Sequence, residues 1–527
     1  MRIRSENLTG IEHRSAEGSK HIHSYGKPVE PKDSFQGETI DYRVAGKMTI
    51  LHTNDMHGHA EAMVKKGEDE SAETGGLANL AGLIKQEKAK NRNATLVLDA
   101  GDISSGTPLS DHFKAIPMLE SMNEIGYDAM TVGNHEFDRG RQSLETLVDK
   151  ADFPILGANI HAANTGKKLN TKPYVIKDVN GIKVGILGLT TPDAATFMPK
   201  EDRATVKISD PIKTAKAEIR NMKKDGAEFV VVLSHLGFNE DRRLAKAVDG
   251  INVIVGGHSH TELRSYKKEN NTYIVQAGSD GNFLGKLDMV LIRDKHGVEI
   301  NNLKASLIRV KNAGERQSAG VLSIINKYKD KLGPIMAKVI GKAETPLPHY
   351  DYHTITEHSP TADFVTDAVR RQTGADVSVF AYSTIRAGLP EGEIKTEDIY
   401  KMIPWTDPLN TVTIKGKDIK EAMERGFRNE ILELCQSGLK ISVDKTRPPG
   451  DRITDISEAS GKPIDPEKNY TMVTRAFLLD SNYVSDAFSK TNDRRIVKES
   501  FQDVLVSFVK AAGEVCPRLD NRLEIKG

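Results

Sequence analysis

Short apolar runs alternate with amphipathic segments from Met48 onward. The apolar runs are "MTILHT", "ATLVLDAG", "AMTVG", "IKVGILGLTT", "EFVVVLSH", "INVIVGGH" and "TYIVQAG". Alternating strand and helix patterns are typical of a layered α/β domain, and nearly continuous apolar strands indicate sheets that are covered on both faces. The pattern therefore predicts an α/β fold that ends near Lys311.

An amphipathic helix is predicted next. Its apolar stripe consists of Val321, Ile324, Ile325, Tyr328 and Leu332. We expect this helix to pack on a domain surface as a linker and to end at the "GP" of Gly333 and Pro334. The remainder, from about residue 340, predicts a second α/β domain.

Composition excludes some functions and leaves others open. The 527 residues favour two or three domains, and the 74 Lys and Arg balance the 74 Asp and Glu. Because these charges balance, the protein has no net electrostatic field that would attract a nucleic acid polymer, and none is expected as a partner. Any phosphate recognition must be local. Two cysteines are too few for a disulfide framework. The oligomeric state is left open.

The first 45 residues are polar and contain no apolar segment of the kind that a secretory signal requires. No stretch elsewhere predicts a membrane span. As written, the chain is expected to be cytoplasmic, and it would be exported or held at the cell surface if the true start is missing. The extension could be a disordered tail, a pro-segment or a docking arm.

Five predicted strands end in side chains that can bind metal. These side chains are Asp55 and His57, Asp102, Asn134, His235, and His258 with His260. Open α/β sheets present ligands at the carboxyl ends of their strands, so distant residues can converge in one crevice. A mixture of carboxylate, amide and imidazole donors favours two divalent ions of Zn, Mn, Fe or Co. A single such fragment is more often a plain turn, but five in order predict a two-metal site.

The ordered fragments "HTNDMHGH", "DAGDISSGTPLS", "VGNHEFDRG", "SHLG" and "GGHSH" resemble the calcineurin-like metallophosphoesterases. With the second domain, the chain resembles the two-domain 5′-nucleotidase family, which includes UDP-sugar hydrolases and 2′,3′-cyclic phosphodiesterases. The resemblance implies a four-layer α-β-β-α sandwich. It implies a polar extension over 1–46, a metallophosphoesterase domain over 47–312, a linker helix over 313–340 and a smaller substrate-binding α/β domain over 341–527.

The resemblance also implies roles for single residues. Asp55, His57, Asp102 and His260 would hold one ion, and Asp102, Asn134, His235 and His258 would hold the other, with Asp102 as the bridge. His135 and Asp138 match the family's catalytic pair. An imidazole held by a carboxylate is oriented and more readily cationic, so it can stabilise negative charge on phosphoryl oxygens.

In the second domain, the resemblance implies a nucleotide site. Arg386 matches a phosphate- or carboxylate-binding arginine, Trp405 and Phe477 match two aromatics that stack on the base, and Asp407 falls where an asparagine often contacts base or ribose. The chain departs from the family pattern at "AYST", "DSNY" and "TEHSPTADF". These departures leave the leaving group open.

The expected activity is release of phosphate from nucleoside 5′-monophosphates, by in-line attack of a hydroxide that bridges the two ions. The resemblance also suggests that rotation of the second domain carries substrate to the metals. Two alternatives remain: hydrolysis of UDP-sugars or 2′,3′-cyclic nucleotides at the same site, and a catalytically silent binding or adhesion protein on the same fold.

Overall fold

The computed structural model describes residues 43–63, 73–163, 169–198, 200–294, 297–351, 356–357, 359–405, 409–427, 432–480, 485–488, 490–516 and 520–526. Of the extension expected over 1–46, residues 1–42 lie outside this set. Residues 43–309 are called the amino-terminal half below, and residues 339–526 the carboxyl-terminal half. Among the described helices, none has both the length and the apolar character that crossing a bilayer requires.

The amino-terminal half contains sixteen strands within the described residues. Their bounds are β1 Arg43–Thr53, β2 Ala62–Met63, β3 Thr74–Gly75, β4 Thr95–Asp99, β5 Ala129–Thr131, β6 Ile155–Leu156, β7 Ile160–Ala162, β8 Tyr174–Val179, β9 Ile182–Thr190, β10 Val206–Ile208, β11 Phe229–His235, β12 Val253–Gly256, β13 Lys267–Glu269, β14 Thr272–Val275, β15 Phe283–Asp294 and β16 Gly297–Arg309. The seven apolar runs of the sequence correspond to β1, β4, β5, β9, β11, β12 and β14.

Helices connect these strands. Their bounds are α1 Leu77–Lys90, α2 Pro108–His112, α3 Ile116–Ile125, α4 Arg141–Lys150, α5 Lys200–Arg203, α6 Pro211–Lys224, α7 Phe238–Ala247 and α8 Ala319–Met336, with short 3-10 helices at Arg92–Ala94, His135–Phe137, Ala194–Phe197 and Gly314–Arg316. Helix α6 shows why such segments begin where they do. Asp210 accepts the backbone N–H of Lys213, and Pro211 occupies the first helical position, where its missing N–H costs nothing.

Two six-stranded sheets form the centre of this half. The first has the order β16-β15-β1-β4-β5-β6 and the second β13-β14-β12-β11-β9-β8. Strands β1, β4, β5 and β6 are parallel, and so are β9, β11, β12 and β14. Parallel pairing brings the carboxyl ends of neighbouring strands to one edge of each sheet.

Three apolar clusters show that the half has four layers. Strand β11 places Val231 in the cluster between the two sheets, while its neighbours Val230 and Val232 join the cluster that covers helices α6 and α7. Strand β1 likewise directs Ile50 between the sheets and Leu51 toward the helices of the other face. Successive side chains point to opposite faces, so both faces of each sheet are buried. The predicted α-β-β-α sandwich is confirmed.

Helix α8 follows the sandwich and packs on it. Val321, Ile325 and Tyr328 are buried against the same cluster that covers α1 and α3. The expectation that this helix ends at Gly333 and Pro334 is wrong, because it continues to Met336. Proline removes one N–H from the helical ladder, and within the last turn that loss is confined to a single bond.

The carboxyl-terminal half is a smaller α/β unit. Its strands are β17 Val339–Ala343, β18 Val377–Ala381, β19 Gly392–Lys395, β20 Leu409–Lys415, β21 Leu434–Ser437, β22 Leu439–Asp444, β23 Ile453–Glu458, β24 Asn469–Arg475, β25 Asn492–Ile496, β26 Glu514–Val515 and β27 Leu523–Lys526; its helices are α9 Pro360–Thr373, α10 Thr396–Met402, α11 Gly416–Gly426, α12 Ala476–Asp480, α13 Ser485–Phe488 and α14 Phe501–Ala512, with a 3-10 helix at Tyr382–Thr384. A five-stranded sheet in the order β21-β18-β24-β20-β25 carries one continuous apolar core.

Candidate metal centre and substrate site

The seven predicted metal ligands meet at the carboxyl ends of the parallel strands. One group contains Asp55, His57 and His260, and another contains Asp102, His235 and His258; within each group the potential ligand atoms lie within 4.8 Å of one another. The amide oxygen of Asn134 is 3.1 Å from His235 Nε2 and 2.8 Å from His258 Nδ1. All seven side chains therefore lie together at one candidate centre.

The backbone at this centre has an unusual conformation. Five of the seven residues, Asp55, His57, Asp102, His258 and His260, have positive φ angles between 44° and 73°. A side chain in the left-handed region costs free energy, and such residues cluster at functional sites because the surrounding structure enforces them. The sharp turns direct donor atoms inward just after each strand ends.

Backbone hydrogen bonds fix two of the imidazoles. The Nδ1 atom of His235 lies 2.7 Å from the Ala100 carbonyl oxygen, and Nδ1 of His57 lies 3.2 Å from that of Ser105. A carbonyl can only accept, so each Nδ1 carries the proton. The Nε2 atoms then carry no proton, and their lone pairs are available to a metal ion. Nε2 of His57 lies 3.0 Å from Nε2 of His260.

The charges of the site favour bound cations. Burial opposes ionisation of Asp102, yet attraction by His235 and His135 lowers its pKa well below the usual range. Burial and repulsion by His135 lower the pKa of His57 to about 4, which leaves a neutral imidazole suited to a metal. Carboxylate, amide oxygen and neutral imidazole are the donors that divalent transition metals bind, so these residues fit the predicted pair of ions.

His135 and Asp138 form a pair beside the metal ligands. Nδ1 of His135 is 2.7 Å from Oδ2 of Asp138, and the Ser105 hydroxyl donates to the same oxygen at 2.6 Å. Burial would lower the pKa of His135, but attraction by Asp138 and Asp102 raises it to about 10. The imidazole is therefore cationic near neutral pH, and Nδ1 faces the carboxylate.

Three of the four predicted substrate residues come together in the carboxyl-terminal half. The guanidinium carbon of Arg386 lies 4.8 Å from the ring centroid of Trp405. The indole N–H of Trp405 donates to the Thr384 carbonyl oxygen at 2.7 Å, and Phe477 has 45% of its surface exposed. Asp407 lies outside the described residues.

Sequence reasoning missed Arg475, which lies between these aromatics. Its guanidinium carbon is 4.8 Å from the Trp405 centroid and 5.8 Å from that of Phe477, and the residue is buried. Its position two residues before Phe477 was the only signal in the sequence. A guanidinium near both rings changes the environment that a base would meet.

A cavity of about 350 Å³ lies between the two halves, next to the candidate metal centre. Gly58, His59 and Thr107 line it on the amino-terminal side, and Tyr400, Pro404 and Gln502 on the other. The Gln502 amide donates to the Trp405 carbonyl oxygen at 2.8 Å. The loop that carries Trp405 is thus anchored to a residue that faces the metal-bearing half.

Comparison with known proteins agrees with this architecture. Residues 48–262 match the calcineurin-like phosphoesterase family, and residues 339–490 match the 5′-nucleotidase C-terminal domain. The chain belongs to the two-domain 5′-nucleotidase family. As a metallophosphoesterase, it is a hydrolase of phosphoric esters, and calcineurin-like phosphoesterases use divalent metals.

Individual relatives cover nearly the whole chain. The trifunctional nucleotide phosphoesterase protein YfkN of Bacillus subtilis is 26% identical over 90% of this chain, which spans only 35% of that relative's own length. The 5′-nucleotidase of Bos taurus is 27% identical, with 91% of both chains covered. The crystal structure of a 5′-nucleotidase precursor from Thermus thermophilus is 28% identical, covers 91% of this chain and 99% of its own, and has a TM-score of 0.61.

Proposed function

We propose that this protein releases inorganic phosphate from nucleoside 5′-monophosphates at a two-metal centre. The observation that carries the proposal is the convergence of two ligand groups beside the His135–Asp138 pair. The ring of His135 lies close to a member of each group, His57 and Asp102. Asp55, His57, Asp102 and His260 would hold one ion, and Asp102, Asn134, His235 and His258 the other. When bound, the ions lower the pKa of water and neutralise charge on the phosphate.

The chain's own residues orient and stabilise the reacting group. Water attacks phosphorus in line and gives up a proton as its oxygen bonds to phosphorus, the bond between phosphorus and the nucleoside oxygen breaks, and the nucleoside oxygen takes up one proton in exchange. His135 donates from Nε2 to a phosphoryl oxygen while Asp138 holds Nδ1, and attraction by Asp138 raises the pKa of the imidazole and so favours its cationic form. This hydrogen bond strengthens as negative charge develops, so it stabilises the transition state more than the bound substrate.

The nucleoside is assigned to the carboxyl-terminal half. Arg386 would clamp anionic oxygens, Trp405 and Phe477 would contact the base, and Asp407 would contact the base or the ribose. The exposed face of Phe477 supports this assignment because a stacking aromatic must be open to its ligand. The names of the Bos taurus and Thermus thermophilus relatives, both 5′-nucleotidases, support the same substrate class.

A second candidate is hydrolysis of sugar nucleotides or 2′,3′-cyclic nucleotides. Two observations favour it: the name of the Bacillus subtilis relative denotes three activities on nucleotides, and Arg475 introduces an additional guanidinium beside Trp405 and Phe477. A cation at this point favours a leaving group that carries further negative charge, as that of a sugar nucleotide does; the leaving group of a 2′,3′-cyclic nucleotide is a ribose hydroxyl, so this second observation favours the sugar nucleotide alone.

A substrate panel tests the proposal. Protein loaded with Mn²⁺ is assayed for phosphate release from AMP and for cleavage of UDP-glucose and 2′,3′-cyclic AMP. We expect the highest kcat/KM for AMP. A higher value for either other substrate would favour the second candidate, and a metal-loaded protein that is inert on all three would favour a silent binding protein.

Variants of the catalytic pair test the assigned roles. We expect His135→Ala and Asp138→Asn to lower kcat by about 10² to 10³-fold, the usual cost of losing one hydrogen-bond donor to the transition state. Metal content should stay unchanged because neither residue is assigned as a ligand. His161→Ala, which replaces an exposed histidine of β7, is the control and should retain the wild-type rate. Wild-type kcat in both pair variants would remove these residues from catalysis.

A further inference from the structure

One buried carboxylate has no role in the chemistry described above, although it contacts the two loops that carry Asp102 and Asn134. Glu136 lies in the 3-10 helix His135–Phe137 and has only 2% of its surface exposed. It follows two residues after Asn134, but its hydrogen bonds do not involve the ligand side chains. Its partners are backbone groups.

Four backbone N–H groups donate to this carboxylate. Oε1 accepts from Ile103 at 3.0 Å and from Ser104 at 3.1 Å. Oε2 accepts from Asp102 at 2.9 Å and from Gly133 at 2.7 Å. A carboxylate offers four lone-pair positions, and here each of them has a donor.

The four donors belong to two different loops. Asp102, Ile103 and Ser104 follow strand β4, whereas Gly133 follows β5 and directly precedes Asn134. The Oε2 atom therefore joins the backbone of the bridging ligand Asp102 to the backbone beside Asn134. Three successive N–H groups that converge on one anion form a concave nest, a conformation that depends on the left-handed φ of 60° at Asp102.

The bracing is reciprocal. The backbone N–H of His135 donates to Oδ1 of Asp102 at 2.8 Å, so each loop supplies a carboxylate to the other. The loops also touch directly, since a Cβ atom on Gly133 would overlap the Asp102 carboxylate. These contacts couple the positions of the two loops.

We propose that Glu136 is a positioning residue that fixes the Asp102 and Asn134 loops relative to each other and so sets the affinity of this centre for divalent ions. The inference rests on the metal centre assigned under the proposed function. Groups that orient metal ligands typically change affinity by about 10 to 100-fold when removed.

Glu136→Gln is the decisive variant. It preserves shape but replaces one oxygen by an NH₂ group, which cannot accept and would face two N–H donors. We expect the dissociation constant for Mn²⁺, measured by isothermal titration calorimetry on protein stripped with chelator, to rise about 10 to 100-fold. Saturating Mn²⁺ should recover part of the lost turnover, because the chemical groups remain.

Asp128→Asn is the matched control. Asp128 also accepts a backbone N–H of β4, from Val97 at 2.9 Å, and pairs with Lys177 at 2.7 Å, but it directly precedes β5, at the end of that strand opposite to Gly133 and Asn134. We expect this variant to lower the melting temperature of the metal-free protein without changing Mn²⁺ affinity. If Glu136→Gln does not fold, Glu136→Asp, which keeps the charge but shortens the reach, is compared in the same way.

Two results would overturn the inference. One is wild-type Mn²⁺ affinity in folded Glu136→Gln or Glu136→Asp protein; the other is an equal loss of affinity in Asp128→Asn, which would trace the effect to general destabilisation. Calorimetry needs no turnover, so a protein that binds two ions but releases no phosphate would contradict only the proposed function.

Discussion

At the scale of single residues, two buried acids form hydrogen bonds with residues that lie next to the proposed metal ligands. Asp99 accepts the hydroxyl of Thr53 at 2.6 Å and the N–H of Gly101 at 2.8 Å. Asp241, on helix α7, accepts the hydroxyl of Ser234 at 2.5 Å. Burial raises the pKa of each to about 8, so both are largely protonated near neutral pH. Their hydrogen bonds fix the strand ends, and the neutral carboxyl groups add no charge beside the proposed metal ligands.

Asp241 gives a prediction about stability and pH. An aspartate with a pKa of about 8 in the fold and about 4 in the unfolded chain takes up a proton on folding. Between pH 5 and 7 the folded state therefore binds one more proton than the unfolded state. As a result, this group alone lowers the unfolding free energy by about 1.4 kcal/mol for each unit by which the pH rises. Asp241→Asn should remove that slope.

Urea unfolding of metal-free protein at pH 5, 6 and 7 measures the effect. The curve of unfolding free energy against pH should be flatter in Asp241→Asn than in wild type. Asp249→Asn, which makes the same change at an exposed position, should keep the wild-type slope. Parallel curves for Asp241→Asn and wild type would mean that Asp241 is ionised in the fold.

At the scale of elements, helix α8 shows how burial on one face fixes a connector. Ile325 is 3% exposed within the cluster shared with α1 and α3, while Leu322 on the other face is 39% exposed. The Tyr328 hydroxyl donates to Glu120 of α3 at 2.6 Å, and Lys327 pairs with the same carboxylate at 2.8 Å. The helix is thus held to the amino-terminal half by apolar and polar contacts together.

Ile325→Ala should therefore destabilise the amino-terminal half. Removing a buried isoleucine costs about 2 to 5 kcal/mol because transfer free energy is lost and a cavity remains. Leu322→Ala on the same helix should change the unfolding free energy by less than about 0.5 kcal/mol, since its site is already solvated. Chemical denaturation measures both, and equal losses in the two variants would contradict the packing of α8 described here.

The strands and their terminal ligands could be predicted because two simple regularities apply. Apolar runs such as that of β11 give the strands, and parallel pairing brings their carboxyl ends together, so His235 and Asn134 could be placed in one site. Glu136 escaped notice because its partners are backbone N–H groups of another loop, which have no sequence signature. Arg475 was missed for a related reason: its position between two aromatics depends on how β24 and the Trp405 loop pack.

At the scale of the whole molecule, the two halves meet through charged as well as apolar groups. The carboxylate of Asp111, in α2, lies 3.7 Å from the guanidinium of Arg139. Asp111 also lines a second cavity, together with Asp138 of the same half and Lys498 and Asp503 of the carboxyl-terminal half. Burial and the neighbouring carboxylates Asp138 and Asp503 raise the pKa of Asp111 to about 6, although Arg139 acts in the opposite sense. Such a polar interface is typical of domains that move relative to each other.

A reversible cross-link between the halves tests whether turnover requires such motion. Glu61 and Pro404 are exposed and line the 350 Å³ cavity from opposite sides. In a background in which the exposed Cys516 is replaced by serine, Glu61→Cys and Pro404→Cys are joined with a bismaleimide that contains a reducible disulfide. If rotation delivers the nucleotide to the metals, the cross-link should lower kcat at least tenfold, because closure and release are then blocked.

Reduction of the linker separates this effect from damage to the site. Turnover should return when the disulfide is cleaved, since both cysteine adducts remain in place and only the tether is lost. Each single-cysteine variant, treated with the same reagent, should keep its rate throughout, because a one-sided adduct restrains nothing. Full turnover in the cross-linked protein would mean that the two halves already hold the catalytic arrangement. Nucleotides would then enter and leave through the cavity without rotation of the carboxyl-terminal half.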